Sequence, residues 1–264
     1  MTNRFSLKNR LAIITGGCGL LGLEHAEALL EKSCRVILFD NDVKKVKKFK
    51  KKFSKNKNML IINVNVLNKL QLKKNLKKII KKFKKIDILI NNIAFDYKPT
   101  NKKKKIETVF DFSLENWNKH IALGLTSAFI CSQEIGKIME KNKSGIILNI
   151  GSDLSVVSPD QNLYSHLNTI KPISYSVVKH GIVGMTKYLA TYWAQKNIRV
   201  NCLSPGGVFN YQEKGFIKKI KKKIPLRRLA NKNEYKEAIQ FLCSDASSYM
   251  TGSNVIIDGG RTII

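Results

Sequence analysis

A tyrosine and a lysine four residues apart are the side chains in this sequence best suited to proton transfer. Tyr175 and Lys179 share one face if their segment is helical. A free phenol has a pKa of about 10, and a neighbouring ammonium group lowers it. The pair therefore predicts a phenol that gives or takes a hydroxyl proton. Taken alone, Tyr-x-x-x-Lys is more often a surface pair, so its setting in the chain has to decide.

Ser152 is the third candidate for chemistry. It follows the apolar run 145–150, which predicts a buried strand, and could hydrogen-bond a carbonyl oxygen as charge develops there. A serine, a phenol and an ammonium group together suit the interconversion of an alcohol and a carbonyl, with hydride moving to or from a nicotinamide.

A glycine-rich turn near the N-terminus predicts dinucleotide binding. The segment 15–22 follows the first apolar run and opens the first helical stretch, which is the setting that a phosphate-binding turn requires. Gly16 permits the tight turn, Gly19 lets the backbone approach a pyrophosphate, and Gly22 allows close packing of helix on strand. The other predicted cofactor contacts in this turn are Cys18 and Leu21.

Asp40 decides the predicted type of cofactor. It ends the second apolar run, 18 residues after Gly22, where a carboxylate accepts hydrogen bonds from the adenosine ribose. The same charge would repel the extra phosphate of NADP, and the glycine turn holds no Arg or Lys to receive that phosphate. We therefore expect NAD(H). The alternative is that Asp40 caps the next helix, a task that Asp42 could perform instead.

Two further strand ends are expected to complete the cofactor pocket. After the third run, Asn65 could contact adenine, and Val66 follows it. After the fourth, the backbone turns at Asn92, Ile93 and Ala94. Each is a common strand exit when considered alone.

Apolar runs alternate with helical stretches from end to end. We predict strands at 11–15, 35–39, 59–65, 86–91, 145–150, 199–204 and 254–258, and helices at 20–31, 42–53, 69–83, 116–140, 176–195 and 235–243. Such alternation predicts an α/β protein with a Rossmann-type, doubly wound parallel sheet of about seven strands and helices on both faces. No linker interrupts it, so a single domain over 1–264 is expected. Two irregular segments, 95–108 and 156–174, follow strand ends, where ligands bind in such sheets.

The net charge is +29, and lysine supplies 41 of the 48 basic residues. The lysines cluster at 44–57, 73–85 and 218–223, which is typical of solvated helix faces. We attribute the charge to a composition biased towards Lys, Asn and Ile. A surface that binds nucleic acid or membrane is the alternative interpretation. The five cysteines lack CxxC spacing, so no metal site or disulfide framework is predicted. No apolar stretch approaches about 20 residues, and a cytoplasmic protein is expected.

Over essentially its full length the sequence resembles the classical short-chain dehydrogenases/reductases. The resemblance rests on segments 15–22, 91–94, 149–152, 175–179, 198–201, 204–206 and 258–260, together with Asp40. It implies that Ser152, Tyr175 and Lys179 are the catalytic set. It also implies that Pro205, Gly206 and Val208 border the nicotinamide, and that the protein forms homotetramers or homodimers through the helices 116–140 and 176–195.

The sequence departs from the family pattern within the glycine turn and within the helix 116–140. Leu20 stands where classical members usually have glycine. Gly124 stands where the family has a helix asparagine that holds a water relayed to the lysine, so the proton relay must be rearranged, filled by water or lost. His120 lies one turn before Gly124 and is expected to be a bystander.

The third departure is the spacing of 23 residues between Ser152 and Tyr175, which is longer than usual in the family. The extra residues are expected to form a polar wall for the substrate. The side chains concerned are Asp160, Gln161, Tyr164 and His166.

The insert and the C-terminal segment 245–252 resemble the members found among flagellin-modification and surface-polysaccharide functions, which implies a carbohydrate-like substrate. One alternative is the reduction of a 3-oxoacyl thioester, which Asp40 disfavours because such reductases mostly use NADPH. Another is a regulatory protein that binds the cofactor without turnover, which Gly124 favours and the intact catalytic set disfavours.

Overall fold

Seven parallel strands form one sheet in the order β3-β2-β1-β4-β5-β6-β7. The computed structural model describes residues 3–95, 108–167 and 169–264, so most of the irregular segment 95–108 lies outside the described residues. The strands are β1 (Leu11–Thr15), β2 (Arg35–Asp40), β3 (Met59–Asn63), β4 (Ile88–Asn91), β5 (Gly145–Ile150), β6 (Ile198–Pro205) and β7 (Asn254–Ile257). The predicted Rossmann-type sheet is confirmed, with strand bounds shifted by no more than two residues.

Helices connect the strands. They are α1 (Leu20–Glu31), α2 (Val43–Lys52), α3 (Lys69–Phe83), α4 (Leu114–Ile121), α5 (Ser127–Lys141), α6 (Ile173–Trp193), α7 (Lys214–Lys222) and α8 (Lys236–Leu242). The stretch predicted as one helix over 116–140 runs from Leu114 to Lys141 and contains a π-helical turn at Ala122–Thr126. Helix α7 was not predicted, because it buries only Phe216 and Ile220 among lysines.

Two apolar cores lie on opposite faces of the sheet. Alternate residues of β1 serve them, with Ala12 and Ile14 in one core and Leu11 and Ile13 in the other. Helices α1 and α8 cover the first core, and α3, α5 and α6 cover the second. This double burial is why the strands are apolar throughout instead of alternating with polar residues.

The lysine-rich helices present solvated faces, as predicted. In α2 only Val46 is buried, and Asp42 caps the helix by accepting a hydrogen bond from the Lys45 backbone N–H over 3.0 Å. Among the residues described, none of the helices is both long enough and apolar enough to span a bilayer.

Candidate active site

The sheet topology gathers the predicted site residues at one edge. β1 and β4 are neighbours, while the chain continues from β1 towards β2 on one side and from β4 towards β5 on the other. The crevice beyond the carboxyl ends of such strands is where ligands bind in doubly wound folds. The glycine turn after β1, Asn92 after β4, Ser152 after β5 and Gly206 after β6 all lie at this edge.

Close packing explains the glycines of the turn. Gly16 has φ +61°, which disfavours residues with a side chain. A Cβ at Gly22 would lie 2.5 Å from the Gly16 carbonyl oxygen, so α1 packs directly on the turn. Helix α1 begins at Leu20 without a side-chain cap. Its first N–H groups therefore face the turn, the arrangement that receives phosphate groups in dinucleotide folds.

Asp40 is oriented by backbone N–H groups from two directions. Cys18 donates to its Oδ2 and Asp42 to its Oδ1, each over 3.0 Å. Asp42 caps α2, so Asp40 is not the capping residue. The alternative interpretation of Asp40 as the cap of the next helix is therefore wrong. The thiol of Cys18 is buried, and burial, followed by the nearby Asp40 carboxylate, raises its pKa to about 12. Cys18 therefore contributes an uncharged side chain and a backbone N–H donor beside Asp40.

Asn92 holds the glycine turn in place. Its side-chain amide donates to the carbonyl oxygens of Thr15 over 3.3 Å and Gly16 over 3.1 Å, and its backbone N–H donates to the Thr15 hydroxyl over 3.1 Å. Ile93 packs against Gly16, where its Cγ1 would lie 3.2 Å from an added Cβ. These contacts give Asn92 and Ile93 a structural task at the predicted cofactor pocket.

The segment that follows β3 contains two of the predicted cofactor contacts, Asn65 and Val66. Asn65 is exposed, and its Oδ1 accepts the Leu67 backbone N–H over 3.1 Å in a local turn. Val66 is buried in the core under the sheet. The predicted adenine contact of Asn65 thus depends on its side-chain amide group.

At the end of β6, Gly206 packs against the last strand, since a Cβ there would lie 2.6 Å from Asp258 Cα. Pro205 closes the strand and Val208 forms a single bridge with Ala230. All three lie at the same edge as the glycine turn.

Helix α6 carries Tyr175 and Lys179 on one face, as predicted. Lys179 is buried, and its ammonium group donates to the Ile150 carbonyl oxygen over 2.9 Å at the end of β5. The ammonium groups of Lys179 and Lys171 lie 5.8 Å and 3.7 Å from the centre of the Tyr175 ring. Two positive charges therefore lie beside the phenol that is predicted to transfer the proton.

The hydroxyl group of Ser152 is held by its neighbours. It donates to Asp153 Oδ1 over 2.8 Å and accepts the Leu154 N–H over 3.2 Å. The other carboxylate oxygen of the buried Asp153 is paired with Arg261, whose side chain is 10% exposed. Because the hydroxyl proton points to Asp153, the oxygen is arranged to accept a hydrogen bond. Donation to a carbonyl oxygen, as the sequence predicted, requires the hydroxyl group to turn.

A small cavity lies beside Tyr175. It is lined by Ala94, Phe95, His120, Pro172, Ser174, Tyr175, Val178 and Lys179. Of the predicted catalytic set, Tyr175 and Lys179 line this cavity and Ser152 does not. His120, expected to be a bystander, lies in its wall, where its Nδ1 is 2.6 Å from Ser174 Oγ. No local pattern marked this contact, because the two residues are 54 positions apart.

Gly124 is the buried residue of the π-helical turn and faces α6. A Cβ at this position would lie 2.5 Å from Val178 Cγ1, so glycine is required by the close approach of the two helices. A side chain as large as the family's asparagine has no room beside Val178. The glycine at position 124, where the family has asparagine, therefore accompanies Val178 on the facing helix, directly before Lys179.

Replacing Gly124 by Ala is expected to lower the free energy of unfolding by about 1–3 kcal/mol, because the added methyl group overlaps Val178. In the double variant with Val178→Ala the two costs should be less than additive, with a coupling of at least about 1 kcal/mol. Denaturant unfolding measures both. Gly184→Ala in α6 is the matched control, since nothing lies within 4 Å of its Cβ, and it should be neutral or stabilising. Additive costs would contradict the coupling.

The insert between Ser152 and Tyr175 packs against α7. Leu163 and Tyr164 share a small core with Phe216 and Ile220. His166 pairs with Glu213 over 2.8 Å. Two of the residues predicted to form a polar wall for the substrate, Tyr164 and His166, instead join the insert to the segment that follows β6. Asp160 pairs with Lys223 over 3.2 Å, and Gln161 exchanges hydrogen bonds with the Lys171 backbone.

Comparisons with known proteins agree with this geometry. The family model described as enoyl-(acyl carrier protein) reductase matches residues 21–262. The chain is 33% identical to an NAD-dependent glycerol dehydrogenase of Listeria innocua, over 98% of this chain and 96% of that one. The chain belongs to the short-chain dehydrogenase/reductase family. A short-chain dehydrogenase of Leptospira borgpetersenii, solved with bound NAD+, superposes with a TM-score of 0.85 at 33% identity, covering 99% of this chain and 96% of that chain.

Other short-chain dehydrogenase/reductase relatives differ in their named tasks. A 3-oxoacyl-[acyl-carrier-protein] reductase of Buchnera aphidicola is 31% identical over 96% of this chain and 98% of its own length. A post-translational flagellin modification protein A of Campylobacter coli is 26% identical over 96% of this chain and 98% of its own length. The chain is thus an oxidoreductase of alcohols or carbonyls by family, with relatives that serve different substrates.

Proposed function

We propose that this single-domain protein, residues 1–264, is an NAD(H)-dependent oxidoreductase of a sugar or sugar phosphate, working in the biosynthesis of a surface or flagellin glycan. The observation that carries the proposal is the pairing of Tyr175 with the buried Lys179 beside a cavity at the carboxyl edge of the sheet. Similarity to a glycerol dehydrogenase and a flagellin-modification protein supports a polyhydroxylated substrate.

The residues at this edge fit NAD(H). The side-chain-free backbone of Gly16, Gly19 and Gly22 forms a cradle at the start of α1, and Asp40 presents a carboxylate whose position two backbone N–H groups hold. The cradle would hold the pyrophosphate and Asp40 the adenosine ribose, with Pro205, Gly206 and Val208 beside the nicotinamide. When bound, the cofactor supplies or accepts the hydride.

The chain's own residues move the proton. Tyr175 takes the proton from a substrate hydroxyl during oxidation and returns it during reduction. Lys179, held by the Ile150 carbonyl, stabilises the phenolate that forms. The Ser152 hydroxyl keeps its own proton and donates a hydrogen bond to Asp153 Oδ1 in this structure. In both reaction directions the Ser152 hydroxyl turns to donate a hydrogen bond to the substrate oxygen, while Tyr175 handles the transferred proton.

We place the enzyme in the cytoplasm as a homodimer or homotetramer. All five cysteines are unpaired and buried, which fits a reducing compartment. Phe129 on α5 and the stacked pair Tyr188 and Tyr192 on α6 are exposed on the two helices that the family resemblance assigns to subunit contacts. Light scattering of the purified protein tests the assembly.

The direct test is a screen of sugars, sugar phosphates and sugar nucleotides with NAD+ and NADH, followed by NADH absorbance. Turnover with a carbohydrate, lost in the Tyr175→Phe variant, would support the proposal. Turnover restricted to a 3-oxoacyl thioester would contradict it and favour the second candidate, which the 31% identical Buchnera reductase supports.

Asp40→Asn should weaken the preference for NADH over NADPH at least tenfold. The neutral amide keeps an acceptor for one backbone N–H but removes the charge that repels the extra phosphate and binds the ribose strongly. Fluorescence titration with both cofactors measures the ratio of Kd values. Asp42→Asn is the matched control, since asparagine caps α2 as well as aspartate does. An unchanged ratio in Asp40→Asn, or wild-type protein that binds NADPH more tightly, would contradict the cofactor assignment.

A further inference from the structure

Two aromatic rings are exposed on the loop that joins β6 to α7. Phe209 is 43% exposed and Tyr211 is 89% exposed, and their ring centroids lie 5.3 Å apart. The loop begins directly after Val208, which is proposed to lie beside the nicotinamide. Three residues span at most about 11 Å, so the Tyr211 backbone lies within that distance of Val208. Exposed aromatic side chains at the edge of the sheet that receives ligands indicate a contact surface there.

The backbone of this loop is strained and yet firmly held. Tyr211 has φ +55°, and among the residues that the structure describes it is the only aromatic one in the left-handed region. The Gln212 side chain donates to the Val208 carbonyl oxygen over 2.6 Å and accepts the Asn210 backbone N–H over 2.8 Å. Because the tyrosine ring is almost fully exposed, packing within the described residues does not explain it. Strain that surrounding contacts maintain is typical of sites that bind ligands.

Helix α7 adds positive charge directly after the loop. Lys214, Lys218 and Lys221 recur at intervals of four and three residues, so they share one helix face, opposite the buried Phe216 and Ile220. All three lysines are exposed, and none of them forms an ion pair with a carboxylate of the described residues. Ammonium groups of this kind bind phosphate as point charges.

The contacts of α7 place this surface on the ligand side of the sheet. Glu213, which caps α7, pairs with His166 over 2.8 Å, and Lys219 donates to the Asn162 carbonyl oxygen over 3.1 Å. Both partners belong to the insert that leads to Tyr175. The exposed rings and the cations therefore lie between the end of β6 and the segment that enters the catalytic helix α6.

We propose that Phe209, Tyr211 and the cationic face of α7 form an outer subsite for a ring that carries phosphate. The aromatic side chains stack on the ring of the ligand, and Lys214, Lys218 and Lys221 bind its phosphate. This chemistry has two sources, a sugar phosphate and the nucleotide of a nucleotide-linked sugar. The inference rests on the proposed function and adds that the substrate is phosphorylated, so that a neutral polyol is disfavoured.

Calorimetric titration of the NADH-saturated protein tests the subsite without requiring turnover, and saturation excludes binding in the cofactor pocket. The probes are glucose 6-phosphate and UDP, with glucose, uridine and inorganic phosphate as their separate parts. At least one phosphorylated ring should bind at least about tenfold more tightly than either of its parts, because ring and phosphate are joined. Its Kd should rise as salt is added. The probe that binds more tightly identifies the source of the ligand.

Tyr211→Gly removes the ring and relieves the backbone strain. It should weaken binding of that probe at least about fivefold, because stacking on an aromatic ring is lost. The Tm should stay the same or rise, an opposite change that a packing role would not produce. Tyr211→Phe keeps the ring and should retain the affinity. The triple variant Lys214→Gln, Lys218→Gln and Lys221→Gln should weaken binding at least about tenfold and reduce its salt dependence.

The matched control is Lys74→Gln, Lys78→Gln and Lys81→Gln, which removes three exposed cations at the same spacing from α3. It should leave the Kd unchanged, because α3 leads to the opposite edge of the sheet. An equal loss of affinity in this control would indicate net charge alone and overturn the subsite. Failure of both phosphorylated rings to exceed their parts, or unchanged affinity in Tyr211→Gly, would overturn it as well. Failure of the proposed function is recognised separately, as turnover that survives in Tyr175→Phe.

Discussion

The Tyr175→Phe enzyme is expected to lose about 10²–10⁴-fold in kcat while binding NADH within about threefold of wild type, because a positioned general acid–base group contributes a factor of that size. The substitution removes the hydroxyl group alone. The ring stays, and so do its contacts with the ammonium groups of Lys171 and Lys179, so the surroundings of the cavity are preserved. Steady-state assays of NADH absorbance and a fluorescence titration measure the two quantities.

The matched control is Tyr249→Phe, which removes a hydroxyl group from a fully exposed ring that has no part in the proposed proton transfer. It should leave kcat and NADH binding at wild-type values. If Tyr175→Phe turned over substrate at the wild-type rate, the proton-transfer role of Tyr175 would be wrong. Loss of NADH binding together with turnover would instead indicate that the hydroxyl group supports the cofactor pocket.

Arg261→Met is expected to lower the free energy of unfolding by roughly 3–5 kcal/mol, because it leaves the buried Asp153 carboxylate without its cation. The same variant should lose turnover, since an uncompensated negative charge next to Ser152 disfavours negative charge on the substrate oxygen. Adding Asp153→Asn removes that charge. The double variant should therefore be more stable and more active than Arg261→Met alone, a reversal that denaturant unfolding and kcat both report.

Arg10→Met is the matched control for this ion pair. Arg10 pairs with Asp245 over 2.6 Å, but the Asp245 side chain is 64% exposed. Its removal should cost no more than about 1 kcal/mol and leave kcat unchanged, because water replaces the lost partner. If the double variant were no more stable and had no higher kcat than Arg261→Met, the unpaired charge of Asp153 would not be the cause of the lost turnover.

Each feature that the sequence predicted well is contained in a short segment. The first strand and the turn from Thr15 to Gly22 require only that an apolar run be followed by glycines at the start of a helix. The spacing of Tyr175 and Lys179 requires only a helical period, and α6 supplies it. Asp40 follows from the end of an apolar strand. Together these patterns were enough to predict the fold and to bring the proposed cofactor residues to one edge of the sheet.

The features that sequence could not predict join side chains from distant segments. His120 meets Ser174 because α4 packs on α6, Gly124 meets Val178 at the same contact, and Asp153 pairs with Arg261 across 108 positions. Helix α7 has a marked amphipathic pattern, but its apolar side chains Phe216 and Ile220 are buried only by packing against the insert, which lies far away in the sequence.

The sequence by itself thus determined the sheet, the glycine-rich turn, the acidic residue at Asp40 and the Tyr175–Lys179 pair, because local periodicity and backbone sterics control each of them. The tertiary structure alone decided which groups surround that pair. It put His120 in the cavity wall, excluded a larger residue at Gly124 and directed the Ser152 proton to Asp153. The physical reason is that such contacts depend on how helices and strands dock, to within fractions of an ångström, and no spacing along the chain encodes that distance directly.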